Sequence, residues 1–343
     1  MNVDQKWLDE ARARLKQPCN GQAYQEFLKG PYKQAECGKR AEKRRKRGCL
    51  TANWCPHQLA GKAILVIGED GVGDEVLTIG CLSDLAQTCK AVSWRCYPKL
   101  KVLFTRSFPK VTFVSDDDPQ PATGATIYSW ELIGRFRKLL EGFAWTKDRA
   151  DFTPYVNPPV ALKDSLAAKY QDGSKKTVGL TWRSERAGEL LSDKTCDIRD
   201  VPHWAEFFER LKNTVRLVSL QYGDTEDEIA FARWKYGVEI YQDTSIDNFN
   251  DVDAAAAQIA AMDYVVSIST TAAHLAGALG VPGWVLLPKK PFGHWRAGKT
   301  MCPWYPTLRP VRQADSGEWN PVLDTVAAEL SNEINSSAPD RQR

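Results

Sequence analysis

Short apolar runs, each followed by a segment long enough for a helix, recur along this chain and set its architecture. The first group is Ala63–Ile67, Ala91–Cys96 and Val111–Val114. The second is Thr177–Trp182, Val215–Leu220, Val238–Tyr241, Tyr264–Ile268 and Trp284–Leu287. Runs this short and this uniformly apolar predict strands buried on both faces, as in a parallel sheet covered by helices. Helical patterns lie between them, notably over Val252–Met262 and Ala272–Leu279. Strand and helix in alternation define βαβ units and the α/β class.

The groups are separated at residues 151–176 by a connector rich in Pro, Asp and Lys around Asn157, Pro158 and Pro159. With 343 residues, the chain exceeds one compact domain of roughly 100–200 residues. The expected organisation is a helical, basic N-terminal extension at 1–58, one Rossmann-like domain at 59–165, a second at 175–330, and a flexible tail at 331–343. Two doubly wound domains facing each other place a central cleft at the carboxyl ends of both sheets, where such folds bind ligands.

Composition narrows the setting. Hydrophobic content of 43% and charged content of 26% are ordinary for a globular protein. No apolar run approaches about 18 residues, so no membrane span is expected. Met1–Lys16 is charged and lacks an apolar signal core, which points to the cytoplasm and to free thiols among the nine cysteines. The net charge of +3 says little, but Lys39–Arg47 gathers seven basic residues and one acid. Such a run either binds phosphate-rich partners, nucleic acid or anionic headgroups among them, or is a solvated helix face. Cys37, Cys49, Cys55 and His57 surround it, with spacing that fits no familiar zinc template.

Two segments carry the chemistry. Gly68-Glu69-Asp70-Gly71-Val72-Gly73-Asp74-Glu75 follows the first strand and precedes an apolar helix pattern. Its glycines allow a tight strand-to-helix turn and a close ligand approach. Asp74 lies near the helix N-terminus, either as a cap or as a functional carboxylate facing the cleft. No Gly-Lys-Ser/Thr follows, so this is not a Walker A loop. The second segment runs from Ser267 to Gly280, where a strand ends, hydroxyl residues follow and a helix of small residues begins. The free N–H groups of that first turn, with Thr270 and Thr271, suit a diphosphate, and His274 lies one turn further in. A capped core helix carrying a polar histidine fits the same spacing.

The 267–280 segment resembles the donor-binding motif of heptosyltransferases and of the bacterial glycosyltransferases that follow tetratricopeptide repeats. Further stretches fall in the same order: Ala60–Glu75, Val178–Arg183, Leu217–Gln221, Ala254–Asp263 and Pro303–Pro306, then Arg309, Arg312-Gln313 and Gly317–Trp319. The resemblance covers residues 54 to 325. It implies the two-domain GT-B fold and a metal-independent transferase, with the acceptor held by the N-terminal domain and a nucleotide-diphosphate sugar by the C-terminal one; no cofactor is implied. Carried over by position, Asp74 is the general base, and Glu69, Gly71, Gly73 and Glu75 border the acceptor. Arg183 or Arg186 neutralises the leaving diphosphate. Gln221, Ser269, Thr270, Thr271, Ala272 and His274 line the donor.

The sequence also departs from that pattern. Ser269 stands where the family has Asp, and Glu69-Asp70-Gly71 replaces Glu-Gln-Gly. The repeats are absent or reduced to the first 58 residues, which weakens the case for a protein acceptor. The acceptor expected instead is a glycan, lipid-linked or polysaccharide hydroxyl. A transferase acting on hydroxylated DNA bases, or a non-catalytic nucleotide- or nucleic-acid-binding module, remains the alternative.

Overall fold

The computed structural model describes residues 59–136, 153–186, 189–291, 295, 302 and 304–336. The N-terminal extension lies outside them, with its basic run Lys39–Arg47 and with Cys37, Cys49, Cys55 and His57. The described residues form two compact units. One runs to Tyr155 and also takes in Trp295; the other begins at Val156 and holds the rest.

The first unit contains β1 (Ala63–Ile67), α1 (Val72–Thr78), α2 (Leu82–Thr88), β2 (Ala91–Arg95), α3 (Lys101–Ser107), β3 (Thr112–Val114), β4 (Ala125–Tyr128) and α4 (Ser129–Phe136). The strands form a parallel sheet in the order β3-β2-β1-β4. Ile64 pairs with Val92 on one side and Ala125 on the other. Strand order reverses between β1 and β4, which opens a crevice at their carboxyl ends. The expected strands at 63–67, 91–96 and 111–114 form within a residue or so of their bounds. Strand β4 was not foreseen, because its four residues follow Pro119, Pro121 and Gly124, which read as loop.

The second unit contains α5 (Val160–Tyr170), β5 (Lys176–Thr181), a hairpin of β6 (Glu185–Arg186) and β7 (Glu189–Leu190), α6 (Trp204–Leu211), β8 (Val215–Ser219), α7 (Glu226–Tyr236), β9 (Ile240–Tyr241), α8 (Val252–Ala260), β10 (Tyr264–Ile268), α9 (Thr271–Leu279), β11 (Gly283–Leu287), β12 (Leu308–Arg312) and α10 (Asn320–Ser336). Its six-stranded sheet is parallel throughout, in the order β12-β11-β10-β5-β8-β9. This is the doubly wound dinucleotide-fold order, and it reverses between β5 and β10.

Aromatic packing anchors the second unit. Trp204, Phe207, Phe208 and Leu211 of α6 are buried. Trp204 stacks on Phe208 at 5.2 Å and donates its indole N–H to the carbonyl of Cys196 at 3.1 Å. Truncating Phe208 to Ala would cost about 3–5 kcal/mol. The connector holds a helix rather than a plain loop. Tyr170, at the end of α5, donates to Asp243 at 2.7 Å and accepts from Gln258 of α8 at 3.1 Å, and Lys169 pairs with Asp243.

Two expectations need correction. The flexible tail expected at 331–343 is helical over 331–336, where α10 continues to Ser336. Val322, Val326 and Leu330 bury one face, Ile334 extends it, and Arg309 pairs with Glu333 in the last turns. Strand β12 was also missed, because Pro310 argues against a strand. It is tolerated because β12 is the edge of the sheet among the described strands and pairs there with β11 alone. No helix among the described residues is long and apolar enough to cross a membrane.

Candidate functional site

In the second unit the switch point is built from the ends of β5 and β10. Thr181 and Ser267 lie side by side with their hydroxyls 2.6 Å apart, and the Ser267 hydroxyl is 3.2 Å from that of Thr270. Backbone at Thr270 is extended and α9 begins at Thr271, with no side chain capping its first turn. The amides of that turn therefore stay available to an anion, and the helix dipole favours one. Ser269 is buried, while Thr270, Thr271 and Ala272 are half-buried at the surface of the turn.

Lys194 brings a cation to this turn. It sits in a short 3-10 segment after the β6–β7 hairpin, and its ammonium donates to the carbonyl of Ser269 at 3.2 Å. Sequence reasoning missed it. It lies 75 residues from Ser269, in a loop with no motif, and only the crossing of β5 and β10 brings the two together.

The arginine expected to neutralise a diphosphate is otherwise engaged. Arg183 is buried, and its Nε, Nη1 and Nη2 donate to Glu228, Glu185 and the carbonyl of Asp224. Two carboxylates already balance this one guanidinium. The backbone of Arg186 pairs with Glu189 in the hairpin, and its side chain lies outside what is described. Gln221 is buried, and its Oε1 accepts from the amides of Trp182 and Arg183, both at 3.0 Å. It ties the loop after β8 to the end of β5. His274 is also buried, with Nδ1 2.9 Å from the hydroxyl of Tyr305. A Cβ at Gly277 would collide with the Tyr305 ring, so that ring lies directly on α9.

In the same unit a cavity of about 550 Å³ opens at the carboxyl ends of β8 and β9. Gln221, Tyr222, Gln242, Ile246, Asn248 and Phe249 are among its walls. The Tyr222 and Phe249 rings lie 5.7 Å apart, and Asn248 Nδ2 is buried without a hydrogen-bond partner. Aromatic faces and the unspent amide of Asn248 suit a flat heterocycle. By contrast, Trp182, Trp295, Trp304 and Trp319 are all buried packing residues.

In the first unit the Gly-rich turn follows β1. Gly71 is the N-cap of α1, and its amide donates to Asp74 Oδ2 at 2.9 Å. Capping is therefore one role of Asp74. It stays partly exposed, so the bond does not exclude a second role. Asp70 holds φ at 68°, and the Tyr97 hydroxyl donates to its carbonyl at 2.7 Å. Glu69 is half-buried, and Gly73 is buried within α1. Glu75, expected to border the acceptor, is instead buried at 2% exposure, with its carboxyl packed against Gly68 in the interior. Burial pushes its pKa up to about 8, helped by the charges of Asp74 and Asp116 and opposed by the Tyr97 backbone and the Trp94 indole. Asp251-Val252-Asp253 begins α8, where Asp251 accepts from the Ala254 amide at 2.9 Å, as an N-cap does. Among the described residues no group of three or more His, Cys, Asp or Glu has the arrangement of a metal site.

Comparison with known proteins gives the class. A glycosyl transferase of family 9 from Veillonella parvula superposes with a TM-score of 0.54 at 10% identity, over 80% of this chain and 98% of that one. The ADP-heptose heptosyltransferase II of E. coli superposes with a TM-score of 0.52 at 14% identity, over 80% and 98%. TibC, an iron-containing dodecameric heptosyltransferase solved with ADP-D-β-D-heptose, superposes at 0.50 with 12% identity, over 81% and 77%. The chain therefore has the fold of the heptosyltransferase-like glycosyltransferases. Among curated proteins, Protein FlbA of Caulobacter vibrioides is 31% identical over 295 residues, 81% of this chain and 48% of that protein. The chain thus spans about half the length of this relative. No protein-family model matches.

Proposed function

We propose that the chain is a glycosyltransferase that moves a sugar from a nucleotide-diphosphate donor to an acceptor hydroxyl. The observation that carries this reading is the uncapped first turn of α9 at the β5/β10 switch point, with Lys194 at its Ser269 carbonyl, in a unit whose β8 and β9 ends border a cavity. The turn and Lys194 would bind the diphosphate, and the cavity would hold the base. Asp74 would take the proton of the acceptor hydroxyl as its oxygen attacks the anomeric carbon. The bond from that carbon to the diphosphate breaks, and the leaving charge collects at α9 and Lys194. A metal is not required on this reading, because the lysine and helix terminus supply the positive field.

Two of the fold neighbours are described with ADP-heptose, so ADP-linked sugars are the first donors to try. The acceptor is proposed to be a glycan or a lipid-linked saccharide, with Lys39–Arg47 attracting its phosphates. The compartment proposed is the cytoplasm, in keeping with five free thiols among the described cysteines. The test is thermal shift and calorimetry against ADP-, UDP-, GDP-, CDP- and dTDP-sugars, followed by release of the nucleoside diphosphate with and without EDTA. Binding of one class with EDTA-insensitive release supports the proposal. No binding to any of them, or release abolished by EDTA and restored by Mg²⁺ or Mn²⁺, counts against it.

A further inference from the structure

Glu75 is a buried acid that the proposed reaction leaves unused. It sits on α1 one residue after Asp74, and its Oε2 is buried without any hydrogen-bond partner. No lysine or arginine among the described residues forms an ion pair with it. Its carboxyl fills the space where a side chain at position 68 would lie, so a Cβ at Gly68 would collide with it. Gly68 in turn opens the Asp74 turn, and its amide donates to the carbonyl of Arg95 at 2.8 Å. From the other side come the Trp94 indole, the backbone of Tyr97, the Cys96 thiol and the carboxylate of Asp116, which itself pairs with Arg95. The Trp94 Nε1 meets no acceptor in hydrogen-bond geometry, so it acts on Glu75 only at longer range. Tyr97 continues the bridge by donating its hydroxyl to Asp70 in the turn.

The carboxyl of Glu75 therefore lies between the ends of β1 and β2, at the root of the segment that presents Asp74. The charges that reach it are those of Asp74 and Asp116, while Arg95 is held on Asp116 and Lys101 on Asp118, and a neutral acid fits there where a carboxylate does not. We propose that Glu75 is a positioning residue, its carboxyl wedged against Gly68, which fixes the turn carrying Asp74. The inference rests on the reading of Asp74 as the base. Ionisation of the wedge would add a third carboxylate beside Asp74 and Asp116 and loosen the bond from the Gly71 amide to Asp74.

The test compares the full chain with Glu75→Gln, which keeps the shape without the charge, and with Gly68→Ala, which displaces the carboxyl. Hydrogen exchange at the Gly71 amide, corrected for its intrinsic pH dependence, reads the turn without requiring activity. Release of ADP from ADP-heptose reads the reaction. The native chain is expected to lose protection at Gly71 between pH 7 and 9 and to fall about tenfold in turnover at pH 9, with KM for the donor unchanged. Glu75→Gln should match the native chain at pH 7 and keep both protection and turnover at pH 9. Gly68→Ala should lose both at pH 7. Equal pH profiles in the native chain and Glu75→Gln would overturn the proposal, as would loss of turnover by Glu75→Gln at pH 7 with Gly71 still protected, since the ionised carboxylate would then be needed. If the native chain releases no ADP, the donor reading fails by itself, and exchange at Gly71 still decides whether the wedge exists.

Discussion

The turns that follow β1 and β10 hold the same place in their sheets and satisfy the helix end in opposite ways. Both lead from a buried parallel strand straight into a helix. After β1 the helix N-terminus is satisfied from within, because Asp74 reaches back to the Gly71 amide. After β10 no side chain reaches back, and Lys194 approaches from another loop. A helix end already holding a carboxylate presents a base; one left open receives an anion. On the proposed reading, one backbone device used in both units would serve acid–base chemistry in the first and phosphate binding in the second.

Removing the charge from the first turn should give the largest effect. Asp74→Asn keeps most of the capping, so stability should change by about 1 kcal/mol or less. Turnover should fall by about 10²–10⁴-fold with donor affinity intact. Near-normal turnover would leave Asp74 as a cap alone and move the base to Glu69 or Glu75, each replaced by Gln in parallel.

The second turn breaks in two ways. Lys194→Ala should weaken nucleoside-diphosphate binding by about 10–100-fold, the loss of one charge-assisted bond; calorimetry with ADP checks this. Thr270→Asp would convert the second turn into a copy of the first. It should stabilise α9 by up to about 1 kcal/mol in denaturant melts while lowering ADP affinity at least about tenfold. An affinity unchanged by that carboxylate would mean the diphosphate binds elsewhere.

The smallest effect concerns stability and pH. The folded pKa of Glu75, near 8, lies above its ordinary value of 4.5. Below pH 4.5 the group is neutral folded or unfolded. As pH rises from there toward 8, the unfolded chain ionises while the folded one keeps its proton, so stability falls across that window and levels off above it. Melts at pH 6 and 8.5 should differ in the native chain and differ less in Glu75→Gln.

Much of this arrangement is legible in the sequence, because parallel strands buried on both faces leave uninterrupted apolar runs. The Gly-rich turn and the 267–280 segment are local, and local backbone requirements leave local marks. What stayed hidden depends on distance along the chain. Lys194 matters only because β5 and β10 are neighbours. Arg183 read as an open cation because Glu228, 45 residues away, gives no hint that it folds back onto it. Strand β12 hid behind Pro310, whose effect depends on whether a strand lies at an edge, and an edge is a property of the whole sheet.

Gly277 carries a lesson about which substitutions deserve suspicion. Helix propensity alone would favour Ala there by about 1 kcal/mol. The Tyr305 ring occupies the space that methyl group would need, and its hydroxyl meets His274 one turn earlier on the same helix. Replacing one hydrogen by a methyl group would therefore lift the ring, release the imidazole and tilt the helix whose first turn is proposed to bind the diphosphate. In a stability screen read by propensity, this position would rank among the safest to change, although the packing makes it one of the least tolerant.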